Sequence, residues 1–135
     1  MGVRVGKACA DMADRALERC RVLVVEDEYF LADDIARSLR ELGAEVIGPI
    51  GTQADALAEL EKSEGLHAAV LDVNLNGDSI YPVAEALRAR GIPFVFGTGY
   101  EGAALPEAYR DVPRWQKPFD PEDLVKALPQ LIRPR

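Results

Sequence analysis

Residues 21–28 read RVLVVEDE, an apolar run that ends in three acidic residues. A near-continuous run of valine and leucine is typical of a strand that is buried on both faces, as in a parallel sheet. The acids follow at the point where such a strand would end. This stretch therefore predicts a buried strand over Arg21–Val25 with an acidic loop at its carboxyl end.

Helices and strands alternate along the rest of the chain. Apolar residues at helical spacing predict a helix over 28–42, namely Leu31, Ile35, Leu39 and Leu42. Further strands are predicted over 44–47, 67–71, 92–96 and 114–116, and further helices between Thr52 and Gly65, over 80–89 and over 120–132. The alternation predicts an α/β fold of the flavodoxin-like, doubly wound (βα)5 type, with a five-stranded parallel sheet in the order 2-1-3-4-5.

The size and charge of the chain limit its organisation and partners. With 135 residues and 14.7 kDa, we predict one domain over 21–135, an N-terminal extension over 1–20 that is helical or disordered, and no output domain. The net charge of −7 argues against nucleic-acid binding. No apolar run approaches the roughly 20 residues that span a membrane. Asp11 and Asp14 interrupt any signal-peptide core, so we expect a cytoplasmic protein.

Polar side chains follow the predicted strands. Because the carboxyl ends of parallel strands meet at one edge of the sheet, these side chains should converge there. They are Glu26 and Asp27 after the first strand, Asp72 after the third, Thr98 after the fourth and Lys117 after the fifth. Each acid alone is most simply a helix cap or a solvated loop charge. Three carboxylates packed together are costly without a cation, however.

The acidic cluster favours a divalent cation, Mg²⁺ or Mn²⁺, because hard cations take oxygen ligands. We predict that Glu26, Asp27, Asp72 and the backbone carbonyl of Asn74 hold it. The loop after the first strand contains no glycine, which argues against direct phosphate binding there. A phosphate would approach this edge only after a metal ion neutralises it.

Phosphoryl transfer is the chemistry that fits these groups, since it needs positioning and charge neutralisation more than proton transfer. Asp72 is the predicted nucleophile and would form an acyl phosphate. Lys117 would pair with one phosphate oxygen, and the Thr98 hydroxyl would donate a hydrogen bond to another.

These motifs resemble the receiver domain of two-component response regulators over 21–132. The acidic pair, Asp72 in VLDVNL (70–75), Thr98 in a Gly-Thr-Gly triplet and Lys117 in Lys-Pro-Phe occur in the family's order. The resemblance implies a phosphoacceptor signalling module rather than an enzyme, with only self-catalysed phosphorylation and dephosphorylation. It implies a sensor histidine kinase, a histidine phosphotransfer protein, or both as partners. Output would be a protein contact or onward phosphotransfer.

Residues 93–100, PFVFGTGY, resemble a subgroup of stand-alone receivers named for the signature Phe-Ala-Thr-Gly-Tyr, with Gly97 in place of alanine. Many receivers carry an aromatic switch residue three positions before the lysine, where this chain has Arg114. The usual threonine–aromatic rearrangement is therefore not expected. Gly97 and Gly99 flank Thr98, and we predict a mobile loop there that phosphorylation orders.

The resemblance also assigns two tuning positions and one backbone feature. Asn74 and Tyr100 flank the site and would tune hydrolysis of the acyl phosphate. The peptide bond between Lys117 and Pro118 would be cis, which places the lysine at the site.

Two other functions remain possible from the sequence. A phosphohydrolase of the haloacid dehalogenase type needs a second aspartate two positions after the nucleophile, as general acid. This chain has Asn74 there and offers no cap segment. A flavodoxin-like cofactor binder would need a glycine or hydroxyl phosphate cradle, and the first loop is acidic instead.

Overall fold

The structure, a computed structural model, describes residues 16–75, 77–99 and 105–132. Tyr100 and most of the predicted N-terminal extension lie outside the described residues. The elements in chain order are β1 (Arg21–Val25), α1 (Tyr29–Glu41), β2 (Glu45–Ile50), α2 (Gln53–Lys62), β3 (Ala68–Asp72), β4 (Asn74–Leu75), β5 (Asp78–Ser79), α3 (Tyr81–Ala89), β6 (Phe94–Thr98), a 3-10 helix (Glu107–Tyr109), β7 (Arg114–Gln116), α4 (Pro121–Lys126) and α5 (Leu128–Ile132).

The central sheet has five strands in the order β2-β1-β3-β6-β7, and every neighbouring pair is parallel. Counted along the chain, this is the predicted order 2-1-3-4-5, which is confirmed. The alternating side chains of β1 divide the core. Leu23 and Val25 belong to one apolar cluster, whereas Val22 and Val24 belong to the other. The sheet is therefore covered on both faces, and each fully buried Val or Leu contributes about 1.5–3 kcal/mol.

Helix α1 covers one face with a narrow apolar stripe. Its largest fully buried side chains, Ile35 and Leu39, are one helical turn apart and pack in the cluster that contains Val22. Leu17, in the turn that precedes β1, has no exposed surface and packs in the same cluster. Its backbone N–H donates to the Leu42 carbonyl at 2.8 Å. The described residues before β1 thus contact the end of α1.

The start of α2 matches its prediction. Thr52 is the N-cap, and its Oγ1 accepts a hydrogen bond from the Asp55 backbone N–H at 3.1 Å. The helix ends before Gly65, at Lys62, and Ser63 is its C-cap.

Strand β2 is longer than predicted, because it continues through Gly48 and Pro49 to Ile50. Proline is tolerated at this place because β2 is an edge strand. Gly48 has φ +105°, and a Cβ there would lie 2.8 Å from the Val24 carbonyl oxygen. Glycine is thus required where the register of β2 shifts along β1.

The predicted last helix is divided into α4 and α5 at Ala127. Pro129 explains the division, since it lacks an N–H for the Val125 carbonyl and its ring would clash with that carbonyl in a continuous helix. In the described part of the fourth crossover, residues 105–113, the helical element is the 3-10 helix. No described helix is long and apolar enough to cross a membrane.

Strands β3 and β6 end later than predicted, and this changes how two polar residues are held. Asp72 pairs with Gly97, and Thr98 pairs with Gln116, so each is the last residue of its strand. A short antiparallel hairpin of β4 and β5, which the sequence did not predict, follows β3 directly.

Candidate functional site

The polar side chains meet at the carboxyl edge of the sheet. Glu26 follows β1 directly, and its backbone N–H donates to the Ile50 carbonyl at 2.9 Å. Lys117 follows β7, and its N–H donates to the Thr98 carbonyl at 2.7 Å. These backbone bonds continue the sheet pairing one residue past β1 and β7. Rigid backbone therefore positions both side chains beside Asp72.

Three carboxylates lie close enough together to share a metal ion. One oxygen each from Glu26, Asp27 and Asp72 lie within 4.8 Å of one another. Glu26 is 4% exposed and Asp72 is 1% exposed. Oδ2 of Asp72 is buried and accepts no hydrogen bond from the described residues. A buried, unsatisfied carboxylate oxygen beside two more carboxylates fits a hard divalent cation.

Lys117 supplies the positive charge that this cluster has in the structure. Its Nζ donates a hydrogen bond to Glu26 Oε2 at 3.2 Å, and it lies 3.4 Å from Asp72 Oδ2 and 3.5 Å from Glu28 Oε1. Burial lowers the pKa of Lys117, but the negative charges of Asp72 and Glu26 raise it by more, so the pKa lies above its usual value. The lysine is therefore charged at neutral pH.

Asp72 is in an environment that disfavours its ionised form. Burial and the neighbouring Glu26 charge raise its pKa to about 8, against the lowering effect of the Asn74 N–H and of Lys117. The Asn74 N–H donates to Asp72 Oδ1 at 3.0 Å, which fixes the orientation of the carboxyl group. Without a cation, this carboxyl group therefore holds a proton to unusually high pH.

The remaining predicted site residues lie around this cluster. Thr98 is 3% exposed and ends β6 one residue beyond the partner of Asp72. Gly97 is buried, and a Cβ there would lie 3.2 Å from the Phe119 ring, whereas a Cβ at Gly99 would meet no described atom within 4 Å. The peptide bond between Lys117 and Pro118 is cis.

Two features of the site region were missed from sequence. Glu28 is the third acid of RVLVVEDE, but nothing in the sequence predicted its contact with Lys117. The rings of Tyr81 and Tyr109 stack 5.3 Å apart and both contact Phe96, two residues before Thr98. No spacing rule brings these two tyrosines together, because one lies on α3 and the other on the 3-10 helix.

Several known proteins share this architecture and much of this sequence, although no family model matches the chain. SdrG from Sphingomonas melonis Fr1 is 44% identical, and its solution structure matches 87% of this chain and 98% of SdrG with a TM-score of 0.74. The response regulator PhyR from Brucella abortus is 31% identical over 97% of this chain, with a TM-score of 0.69. The chain belongs to the response regulator receiver family.

The receiver matches only part of its longer relatives. It is 36% identical over 122 residues to the transcriptional regulatory protein PdtaR of Mycobacterium tuberculosis, and the match covers 86% of the receiver. It spans 58% of the length of PdtaR and 54% of PhyR. A second solution structure of SdrG, in a BeF3-activated conformation, matches at 43% identity over 84% of the receiver and 96% of SdrG, with a TM-score of 0.68. These relatives do not support the haloacid dehalogenase alternative. Membership of the Phe-Ala-Thr-Gly-Tyr subgroup stays a prediction.

Proposed function

We propose that this receiver accepts a phosphoryl group on Asp72 and signals through protein contact or by passing the group onward. The observation that carries the proposal is the state of the Asp72 carboxyl group. It is almost fully buried, its Oδ1 is held by the Asn74 N–H, and its Oδ2 accepts no hydrogen bond from any described residue. The Asn74 N–H therefore orients the carboxyl group, and Oδ2 is ion-paired with Lys117 Nζ at 3.4 Å without accepting a hydrogen bond.

Glu26, Asp27, Asp72 and the backbone carbonyl of Asn74 would hold Mg²⁺ or Mn²⁺. The three clustered carboxylates support this assignment, and Asn74 lies two residues after Asp72 in the chain. When bound, the ion would offset the negative charge that the transferring phosphoryl group brings to the site. Divalent cation and phosphoryl group would thus depend on the same carboxylates.

Once Asp72 is ionised, the transfer itself needs no further proton movement by the protein. A carboxylate oxygen of Asp72 attacks phosphorus, and the bond between phosphorus and the donor atom breaks, with its electron pair leaving on the donor. Lys117 Nζ lies 3.4 Å from Asp72 Oδ2 and would bind one oxygen of the attached group. The buried Thr98 hydroxyl, at the end of the adjacent strand, would donate a hydrogen bond to another. Hydrolysis of the acyl phosphate would return the free carboxylate, at a rate tuned by Asn74 and Tyr100.

A sensor histidine kinase or a histidine phosphotransfer protein would supply or take the phosphoryl group, in the cytoplasm. A protein donor must reach the carboxyl edge of the sheet. Beside that edge, at the start of α1, Tyr29 and Phe30 are 77% and 80% exposed, and their rings are in edge contact at 5.5 Å. These aromatic rings offer apolar contact area to such a partner.

Phosphorylation would change the segment that begins at Thr98 and Gly99, whereas Gly97 is held in β6 by pairing with β3 and β7. Attachment of the phosphoryl group gives the Thr98 hydroxyl an acceptor, which would order this segment. Phe96, two residues earlier, contacts the stacked rings of Tyr81 and Tyr109. A change at Thr98 would therefore be transmitted along β6 to Phe96 and from there to Tyr109 in the 3-10 helix.

The test is intact-mass spectrometry after incubation with acetyl phosphate and Mg²⁺. We expect a gain of about 80 Da, one phosphoryl group, in the wild type and no gain in Asp72→Asn. Asp78→Asn is the matched control, because it makes the same change at an exposed aspartate six residues away and should keep the gain. A gain in Asp72→Asn, or its loss in Asp78→Asn, would assign the acceptor elsewhere.

A further inference from the structure

Lys117 lies among three carboxylates, and one of them is not part of the clustered metal site. Glu28 Oε1 is 3.5 Å from Lys117 Nζ, yet the oxygens that cluster within 4.8 Å belong to Glu26, Asp27 and Asp72. The Glu28 side chain is 63% exposed, whereas that of Lys117 is 17% exposed. The lysine is thus contacted from the solvent side by a carboxylate with no role in the proposed chemistry.

The local backbone leaves the Glu28 side chain free for this contact. Glu28 is the N-cap of α1, but its side chain makes no cap hydrogen bond. Its backbone N–H instead donates to Glu26 Oε2 at 3.0 Å, the same oxygen that accepts the bond from Lys117 Nζ. This bond ties the backbone of Glu28 to the carboxylate that anchors the lysine.

The three contacts of the lysine respond differently to phosphorylation. Glu26 would turn to the cation, and Asp72 would exchange its carboxylate charge for an acyl phosphate. Both would therefore release Lys117 when it is needed at the phosphoryl oxygens. Glu28 would keep its negative charge and its place at the start of α1, so it would continue to attract the lysine.

We propose that Glu28 is a positioning residue that restrains Lys117 in the unphosphorylated receiver and competes with the incoming phosphoryl group for its ammonium. The inference rests on the proposed function of Asp72. An ion pair with one exposed partner is weak and is screened by salt. Glu28 would therefore lower the rate of phosphorylation modestly and would not be required for it.

The experiment measures the initial rate of the gain of about 80 Da from acetyl phosphate at saturating Mg²⁺. We expect Glu28→Gln to raise this rate about two- to fivefold at low salt, with the difference shrinking as ionic strength approaches ~1 M. Glu41→Gln is the matched control, since it removes the same charge from the exposed far end of α1 and should leave the rate unchanged. A structural effect of Glu28 would not fade with added salt.

A double-mutant cycle identifies the route of the effect. In a Lys117→Met background, Glu28→Gln should no longer accelerate phosphorylation. Its rate should equal that of Glu41→Gln made in the same background. An equal acceleration with and without the lysine would overturn the proposal, because Glu28 would then act on the phosphodonor directly. Equal rates for wild type and Glu28→Gln would also overturn it. No mass gain in any of these proteins, wild type included, would instead count against the proposed function of Asp72.

Discussion

Replacing Asp72 by asparagine should make the metal-free receiver more stable at neutral and alkaline pH. The carboxyl group has a pKa of about 8 in the folded protein, against 3.8 when unperturbed. Asparagine keeps the shape of the side chain and an oxygen that can accept the Asn74 N–H bond. It removes the charge that burial and Glu26 disfavour. The exchange therefore isolates the electrostatic cost of ionising this site.

The sign follows from proton linkage. Because the pKa is higher in the folded protein, the folded state holds its proton to higher pH than the unfolded state. The contribution to stability is fully present below about pH 4 and is lost as pH rises towards about 8. One proton corresponds to about 1.4 kcal/mol per pH unit, so the loss has an upper limit on the order of 6 kcal/mol. Relaxation of the side chains would reduce it.

The assay is urea unfolding in EDTA at several pH values between 5 and 8, followed by the fluorescence of the single tryptophan, Trp115. We expect the free energy of unfolding of Asp72→Asn, relative to the wild type, to rise steadily across this range. Titrating groups that do not interact with Asp72 are common to both proteins and cancel in the difference. Asp78→Asn should follow the wild type, because the position is exposed and asparagine keeps an oxygen that can accept the Gln53 N–H. A difference that does not change with pH would refute the electrostatic account of this site.

Two further substitutions test how the fold is held. Thr52→Ala removes the acceptor of the Asp55 N–H and should lower the free energy of unfolding by about 1 kcal/mol in urea titrations; an unchanged midpoint would mean that the cap adds nothing. Leu17→Ala should cost about 2–5 kcal/mol, because this side chain is fully buried against the end of α1. Loss of less than about 0.5 kcal/mol would show that the segment before β1 does not contribute to the folded core.

The sequence predicted the sheet and the convergence of the acidic residues and Lys117 at its carboxyl edge, because both follow from local patterns. A buried apolar run such as 21–25 predicts a central parallel strand. The strand order then determines which residues meet at the carboxyl edge. Asp72 and Lys117 are far apart in the chain, yet topology alone brought them to one place. Their type and position were sufficient, since parallel strands leave little freedom in where their ends lie.

The errors arose where tertiary contacts outweighed local signals. Gly48 and Pro49 indicated the end of β2, but an edge strand tolerates both, so pairing with β1 continued to Ile50. The division of the last helix has a local cause instead, since Pro129 interrupts it although the apolar spacing continues across the proline. The contact of Glu28 with Lys117 depends on the conformations of two long side chains, which no local pattern encodes.

The charges of the site explain why a single lysine must change partners. Glu26, Glu28 and Asp72 lie around Lys117, and Asp27 clusters with two of them. When all four are ionised, the metal-free site carries three excess negative charges. A divalent cation would leave one. Phosphorylation would then remove the Asp72 charge and add about 1.5 to 2 negative charges on the phosphoryl group. The excess would grow again, on atoms that Lys117 can reach only by leaving the carboxylates. The phosphoryl group attracts the lysine more strongly than Glu28 does, since its charge is larger and it is bound at the buried Asp72. Glu28 therefore slows the movement of the lysine without preventing it.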